Sequence, residues 1–134
     1  MKYILDTQAW IWSILNHPRL SRRARAAVTG IADERMGLSA VSLKEAAWLL
    51  ARGRIEVEST HGAWPHWLRN AASMPELEIL PLTVEVAIDS EHLGSGFPAD
   101  PADRVIAATA RVNRLTLITS DRAIRKSGAV RTLW

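Results

Sequence analysis

The segment Asp-Pro-Ala-Asp-Arg-Val-Ile-Ala-Ala-Thr-Ala-Arg, residues 100–111, decides how the rest of the chain is interpreted. It starts as a helix starts, because Asp100 can accept a hydrogen bond from a free backbone amide and Pro101 suits the first helical position. Asp103 is unusual. It shares its helix face with the apolar residues three, four and seven positions on, Ile106, Ala107 and Ala110. The charge of a carboxylate on a packing face must be stabilised. Either the positive N-terminal end of its own helix does this, or a cation that it shares with other carboxylates.

Length and composition indicate a globular protein. The 134 residues suffice for one domain, residues 1–134, with a single hydrophobic core, and 48% hydrophobic and 23% charged residues are ordinary values. No apolar run reaches the ~20 residues of a membrane helix, and the N-terminus lacks a signal-peptide pattern. The absence of cysteine excludes disulfide and thiolate chemistry. We therefore expect a cytoplasmic protein without membrane contact, whose net charge of +3 permits a polyanionic partner.

Short apolar runs alternate with helical patterns along the chain. A helix capped by Ser21, one with the capping-box spacing Ser42 to Glu45, and one from Thr83 to about Leu93 are predicted. The apolar runs are continuous, which favours a mostly parallel sheet covered by helices on both faces. The predicted fold class is α/β, with three layers and about four to five strands. The predicted strands are Tyr3–Leu5, Met36–Ser39, Leu77–Leu80, Leu115–Thr119 and Val130–Leu133.

Four acidic residues stand where such a sheet places its functional groups. Asp6 follows the first strand, Glu45 lies in the first helical turns after the second, and Asp121 comes two residues after Thr119. Asp103 starts the helix before the fourth strand. Right-handed crossovers bring the carboxyl ends of parallel strands to one edge of the sheet. The four carboxylates are therefore expected to converge there.

Each carboxylate taken alone has a simpler interpretation. Asp6 and Asp121 are then helix caps, Glu45 is half of the capping box, and Asp103 is a favourable charge at the N-terminal end of a helix. Glu45, however, shares its helix face with Val41, Trp48 and Leu49. Four acids at one edge would repel one another strongly unless a cation lay between them. An all-oxygen, negatively charged site selects Mg²⁺ or Mn²⁺ over zinc. The set as a whole therefore indicates a metal site.

The sequence lacks the motifs of zinc sites, nucleotide-binding sites and serine hydrolases. No two histidines stand three or four residues apart, and no glycine-rich phosphate loop or G-x-S-x-G elbow occurs. Two metal ions held by carboxylates suit phosphodiester hydrolysis by water, because they stabilise the attacking and leaving oxygens. Thr7, Thr119 and Ser120 can hydrogen-bond the ligands or the water, although a helix cap is an equal alternative for each hydroxyl.

Four segments together carry a family resemblance: Ile4 to Thr7, Leu38 to Glu45, Asp100 to Ala110, and Leu117 to Asp121. The chain resembles the PIN domain family, specifically the VapC-like toxins of type II toxin–antitoxin systems, over essentially its whole length. The resemblance implies a PIN fold, Mg²⁺- or Mn²⁺-dependent endoribonuclease activity on an RNA substrate, homodimerisation, and inhibition by a cognate antitoxin protein.

The resemblance also implies the site residues. Asp6, Glu45, Asp103 and Asp121 match the acidic quartet of the family, since its third acid usually stands three residues before Ile-Ala-Ala. Asp100 falls outside that pattern, so it is interpreted chiefly as a cap, with a ligand role left open. The Asp-Pro-Ala-Asp form resembles a subgroup that includes members of uncertain activity. A catalytically inactive PIN-type module that binds RNA or protein is therefore the alternative.

The RNA-binding surface is not predicted. Arginines 19, 22, 23 and 25 and the basic residues near the carboxylates could contact phosphates, but most are better explained as a solvated helix face. Trp10 and Trp12 could stack on bases, whereas the other four tryptophans are assigned to the core or to a partner interface. A phosphoacceptor receiver domain is a third alternative, but the acid pair and the lysine that it needs are missing.

Overall fold

A computed structural model describes residues 1–30, 34–58 and 63–134. Five strands form one sheet: β1 (Tyr3–Leu5), β2 (Met36–Ser39), β3 (Leu77–Leu80), β4 (Thr116–Ile118) and β5 (Thr132–Leu133). The helices of this part of the chain are α1 (Thr7–Leu15), α2 (Arg22–Thr29), α3 (Ala40–Ala51), α4 (Trp64–Ala72), α5 (Val84–Asp89), α6 (Pro101–Val112) and α7 (Arg122–Ser127). Within these three ranges, no helix combines the length and apolar character needed to cross a membrane.

The sheet order is β3-β2-β1-β4-β5, and all four strand pairs are parallel. Leu5 at the end of β1 pairs with Leu38 of β2 on one side and with Ile118 of β4 on the other. The chain winds outward from β1 to β3 and then returns to place β4 on the opposite side of β1. The crevice beyond the carboxyl ends of β1 and β4 is therefore the topological switch point, where α/β sheets bind their ligands.

The core lies on both faces of the sheet, as the continuous apolar strands predict. Successive strand residues point to opposite faces, so Ile4 and Leu117 pack against α6 and α7, whereas Leu5 and Ile118 pack against α1 to α4. Ile4, Leu117 and Ile118 are fully buried, and Leu5 is nearly so. The α/β class and the three-layer arrangement of the prediction are confirmed.

Three predicted helix starts are confirmed by their hydrogen bonds. The side chains of Ser21, Thr83 and Asp100 each accept a hydrogen bond from the backbone amide three residues on. One predicted helix end differs. The α5 helix ends at Asp89 rather than near Leu93, because turns with i to i+3 hydrogen bonds replace the helix after Ser90.

The predicted capping box of Ser42 and Glu45 is wrong. Helix α3 begins at Ala40, directly after β2, and its cap is Ser39, whose hydroxyl accepts a 3.3 Å hydrogen bond from the Val41 amide. Ser42 already lies inside the helix and is fully buried. Glu45 is consequently in the second turn of α3, too far along the helix to cap it.

Candidate active site

A cavity of about 240 Å³ lies beyond the carboxyl ends of β1 and β4, at the switch point of the sheet. We call it the carboxylate cleft. Four of the residues that line it are acidic, and no lysine or arginine is among those that the structure describes there. The acidic residues are the four that the sequence predicts to converge: Asp6, Glu45, Asp103 and Asp121. The structure thus brings the predicted carboxylates together.

Asp6 and Asp121 are each held at a helix start. Asp6 Oδ1 accepts a 2.7 Å hydrogen bond from the Ala9 amide, and Asp121 Oδ1 accepts a 3.0 Å hydrogen bond from the Ile124 amide. The capping interpretation therefore holds for both residues, but capping occupies only one oxygen of each. The positive ends of α1 and α7 also point toward the cleft, which moderates the repulsion among its carboxylates.

Asp103 and Glu45 are less constrained. Asp103 lies in the first turn of α6 and is half-buried, and Glu45 lies on α3 and is half-buried as well. Neither side chain takes part in a salt bridge or a side-chain hydrogen bond within the described residues. These two carboxylates are therefore the ones that can rotate when a ligand enters the cleft.

Asp100 and Asp103 occupy different positions, although they are three residues apart. Asp100 is exposed, and its Oδ1 accepts a 3.0 Å hydrogen bond from the Asp103 amide. Asp103 lines the carboxylate cleft, whereas Asp100 is not among its lining residues. This geometry makes Asp100 the cap of α6 and leaves a ligand role for Asp100 as an untested prediction.

Two carboxyl groups of the cleft hold protons more tightly than usual. Burial raises the pKa of Asp103 to about 7, with further repulsion from Asp100, Glu45, Asp121 and Asp6. Burial also raises the pKa of Asp6 to about 6, although hydrogen bonds from Thr119 and the Ala9 amide oppose the rise. Such values are expected for carboxyl groups that are buried beside other acids.

The three hydroxyl residues that the sequence singles out have different partners. Thr7 is buried and donates a 2.9 Å hydrogen bond to Ser42. Thr119 is fully buried, hydrogen-bonds the Asp6 carboxylate, and accepts a 3.1 Å hydrogen bond from the Asp121 amide. Thr7 and Ser120 both line the cleft. Thr119 thus joins two of the acids, whereas the hydroxyl of Thr7 is directed to α3.

The donor set fits a hard divalent cation by its chemistry, because it consists of four carboxylate groups with no basic side chain among the described lining residues. The carboxylates are nevertheless not in ligand positions already. Throughout the described parts of the chain, no group of three or more His, Cys, Asp or Glu side chains is arranged to hold a metal ion. Binding therefore requires movement of side chains, and Glu45 and Asp103 are the ones free to move.

Some residues of this region were not anticipated from the sequence. Gln8 and Leu49 complete the lining of the cleft, each one helical turn or less beyond an acid. Ser42 was assigned to a cap and is instead the buried partner of Thr7. Trp10 cannot stack on a base, because it is 2% exposed and belongs to the core. His17, His66 and His92 do not line the cleft, and His61 lies outside the described residues.

Comparison with known proteins connects this geometry to a family. A sequence profile of the PIN domain matches residues 3–129. Ribonuclease VapC22 from Mycobacterium tuberculosis is 36% identical over 135 residues, which cover 98% of this chain and 97% of that protein.

Solved structures share the fold. FitAcB from Neisseria gonorrhoeae has a TM-score of 0.73 at 25% identity, covering 98% of this chain and 96% of that one. A toxin–antitoxin complex from Klebsiella pneumoniae has a TM-score of 0.67 at 19% identity, covering 99% of this chain and 97% of that one. The profile match spans nearly the whole chain and confirms the resemblance seen in the sequence. This chain belongs to the PIN domain family and is a homologue of the VapC ribonucleases.

Proposed function

We propose that this protein is an endoribonuclease that hydrolyses RNA phosphodiester bonds with water and depends on Mg²⁺ or Mn²⁺. The observation that carries the proposal is the convergence of four carboxylates on one cleft at the switch point of the sheet, with no basic side chain among its described lining residues. The homology to a ribonuclease over nearly the whole chain supports the same reaction class.

The residue roles follow from the geometry. Asp6 and Asp121 would hold the cation through the oxygen that each leaves free of its capping hydrogen bond. Glu45 and Asp103 would complete the ligand set by rotation. When bound, Mg²⁺ or Mn²⁺ would neutralise charge at the scissile phosphate and make water a better nucleophile.

The remaining residues orient this set. The Thr119 hydroxyl bonds Asp6 and accepts from the backbone amide of Asp121, so it fixes the positions of both acids. The Ser120 hydroxyl lines the cleft and can donate a hydrogen bond to a phosphate oxygen. Thr7 also lines the cleft, but its hydroxyl donates to Ser42 and would act by setting the spacing of α1 and α3. Before a cation binds, Asp103 can retain its proton up to about neutral pH.

The biological setting is part of the proposal. The protein would be the toxin of a type II toxin–antitoxin pair, acting in the cytoplasm as a homodimer and inhibited by a cognate antitoxin protein. The shared fold of the Klebsiella pneumoniae toxin–antitoxin complex supports this assignment.

Cleavage of single-stranded RNA by the purified protein tests the proposal. Wild type should cut RNA with Mg²⁺ or Mn²⁺ and stop when EDTA is added. Asp6→Asn should abolish cleavage without unfolding the chain, because asparagine caps helices as well as aspartate does. Glu91→Gln is the matched control, since Glu91 is exposed and does not line the cleft.

A second candidate function is a catalytically inactive PIN-type module that binds RNA or protein. It is favoured by the fact that no three-ligand group is already assembled among the residues described. A wild-type protein that cuts no RNA with either metal, and binds RNA equally well with and without metal, would establish this second function and reject the first.

A further inference from the structure

We propose that a groove beside the carboxylate cleft binds the single-stranded RNA segment that flanks the scissile phosphate. In this proposal the Trp12–His17 ring pair stacks on a base, and Arg19 and Arg54 contact phosphates. The choice of RNA as the ligand rests on the proposed function. The position of the groove and its side-chain chemistry are independent of it.

The groove is a cavity of about 490 Å³ between α1 and the segment that follows α3. This volume lies in the range of small-ligand pockets. Gln8 and Leu49 line both the groove and the carboxylate cleft, so the two depressions meet at these residues. The cleft and the groove are therefore adjacent, so one bound chain would be able to contact both.

An aromatic platform stands in the groove. The rings of Trp12 and His17 are stacked, with centroids 5.3 Å apart and planes inclined by 16°. The Arg19 amide donates a 3.0 Å hydrogen bond to His17 Nδ1, which fixes the orientation of the imidazole ring. Trp134 contacts Trp12 at a tilt, with centroids 6.0 Å apart. Stacking on aromatic rings is how proteins bind unpaired bases without reading their sequence.

The charges of the groove favour a polyanion. Among the described residues that line it, Arg19 and Arg54 are basic and only Glu56 is acidic. The guanidinium of Arg54 also lies 5.2 Å from the ring centroid of Trp48. A basic peptide would be attracted by the carboxylate cleft but repelled by these arginines. A phosphodiester chain fits both parts, because its phosphates would meet a cation in the cleft and arginines in the groove.

RNA binding by the full-length protein in EDTA tests the role of the arginines. We expect Arg54→Gln to weaken the binding of a fluorescent single-stranded RNA and to reduce the salt slope, d log K/d log [salt], by about 0.7. Arg52→Gln is the matched control. Arg52 also lies over Trp48, at 4.4 Å, but it does not line the groove. A second pair compares Arg19→Gln with Arg22→Gln, since Arg22 lines neither cavity.

Tryptophan fluorescence tests the platform. RNA should quench the emission of wild type and of Trp48→Phe, whereas Trp12→Phe should lose most of the quenching. Trp12→Ala, which removes the ring, should bind RNA about tenfold more weakly. Thermal unfolding of each variant verifies that the fold is retained, since Trp12 also packs against the core. For a variant that fails this check, the arginine pairs decide the question.

The proposal is overturned if Arg54→Gln and Arg19→Gln bind RNA as tightly as their controls do, even if they bind a protein partner less well. It is distinct from the proposed function. A wild type that binds RNA through the groove but never cuts it would reject only the nuclease. A wild type that cuts RNA, with unchanged KM in Arg54→Gln, would reject only the groove.

Discussion

The hydroxyl of Thr7 donates a 2.9 Å hydrogen bond to the hydroxyl of Ser42, 35 positions further along the chain. Both side chains are buried, with 4% and 0% of their surfaces exposed. Thr7 directly follows Asp6, and Ser42 lies one helical turn before Glu45. This hydrogen bond therefore fixes the distance between the two helices that carry two of the cleft carboxylates.

Replacing one member of this pair should weaken both the fold and the cleft. Ser42→Ala leaves the Thr7 hydroxyl buried without an acceptor, which should lower the free energy of unfolding by about 1–3 kcal/mol. The Thr7→Val/Ser42→Ala double variant should lose clearly less than the sum of the single losses, because it leaves no unpaired hydroxyl. Denaturant unfolding measures these losses.

The same variants show whether the Thr7–Ser42 hydrogen bond positions the cleft carboxylates in addition to stabilising the fold. Mn²⁺ should bind more weakly to Ser42→Ala than to wild type at a temperature where both are folded, and Ser42→Thr should restore part of the affinity. Additive unfolding losses together with unchanged Mn²⁺ affinity would contradict a positioning role for the pair.

Substitutions at Ser39 and at Glu45 test which residue caps the N-terminus of α3. Ser39→Ala should lower the free energy of unfolding by about 1 kcal/mol, because Ser39 caps the helix. Glu45→Gln should leave the stability unchanged or raise it slightly, since Glu45 caps nothing and its charge is repelled by the other acids. Denaturant unfolding of the two variants side by side is the measurement. A loss for Glu45→Gln as large as that for Ser39→Ala would restore the capping box.

Asp103 and Asp100 should differ in activity. Asp103→Asn removes a carboxylate from the cleft and should abolish RNA cleavage. Asp100→Asn keeps a good helix cap outside the cleft and should retain most of the activity. Initial cleavage rates of the two variants, with circular dichroism to verify folding, make the comparison. Equal losses would show that Asp100 is a ligand as well.

The raised pKa values predict how the stability of the metal-free protein depends on pH. Asp103 and Asp6 have folded-state pKa values of about 7 and about 6, whereas an aspartate in the unfolded chain has the ordinary pKa of 3.8. Between about pH 4 and pH 7 the folded state therefore binds more protons than the unfolded state. The stabilisation from these groups is complete below pH 4 and is lost as the pH rises through 6 and 7.

Thermal unfolding in EDTA at pH 5 and pH 8 measures this dependence. Other carboxylates also titrate, so the informative quantity is the difference between wild type and Asp103→Asn. The decrease in Tm from pH 5 to pH 8 should be larger for wild type than for the variant. An equal decrease in both would mean that the fold does not raise the pKa of Asp103.

Much of the fold was predictable, because local chemistry and tertiary structure agree. The continuous apolar strands Tyr3–Leu5 and Leu77–Leu80 were found with their observed bounds. Gly128 ends α7 with φ of 68°, as its position after a helical pattern indicates. The last strand was predicted too long. Residues 130 and 131 precede β5, whose bounds are set by the pairing of Thr132 and Leu133 with β4.

The convergence of the acids was also predictable. Asp6 and Asp121 follow strands, Glu45 and Asp103 lie in the first two turns of helices, and parallel topology brings such positions together. The Thr7–Ser42 hydrogen bond and the groove could not be predicted from the sequence. Ser42 has the spacing of a capping box in the sequence, and only the true start of α3 at Ala40 reveals its burial. The groove combines Trp12 and His17 with Arg54, which are remote in the sequence and become neighbours only through the packing of α1 on α3.

The central claim is that the carboxylate cleft binds a divalent metal ion. Calorimetric titration of the metal-free protein with Mn²⁺ tests it most directly. Wild type should bind Mn²⁺, and Asp6→Asn, Glu45→Gln, Asp103→Asn and Asp121→Asn should each bind at least about tenfold more weakly while remaining folded in EDTA. The Glu91→Gln control should bind as wild type does. If the four cleft variants bind Mn²⁺ as tightly as wild type, the carboxylate cleft is not a metal site and the account is contradicted.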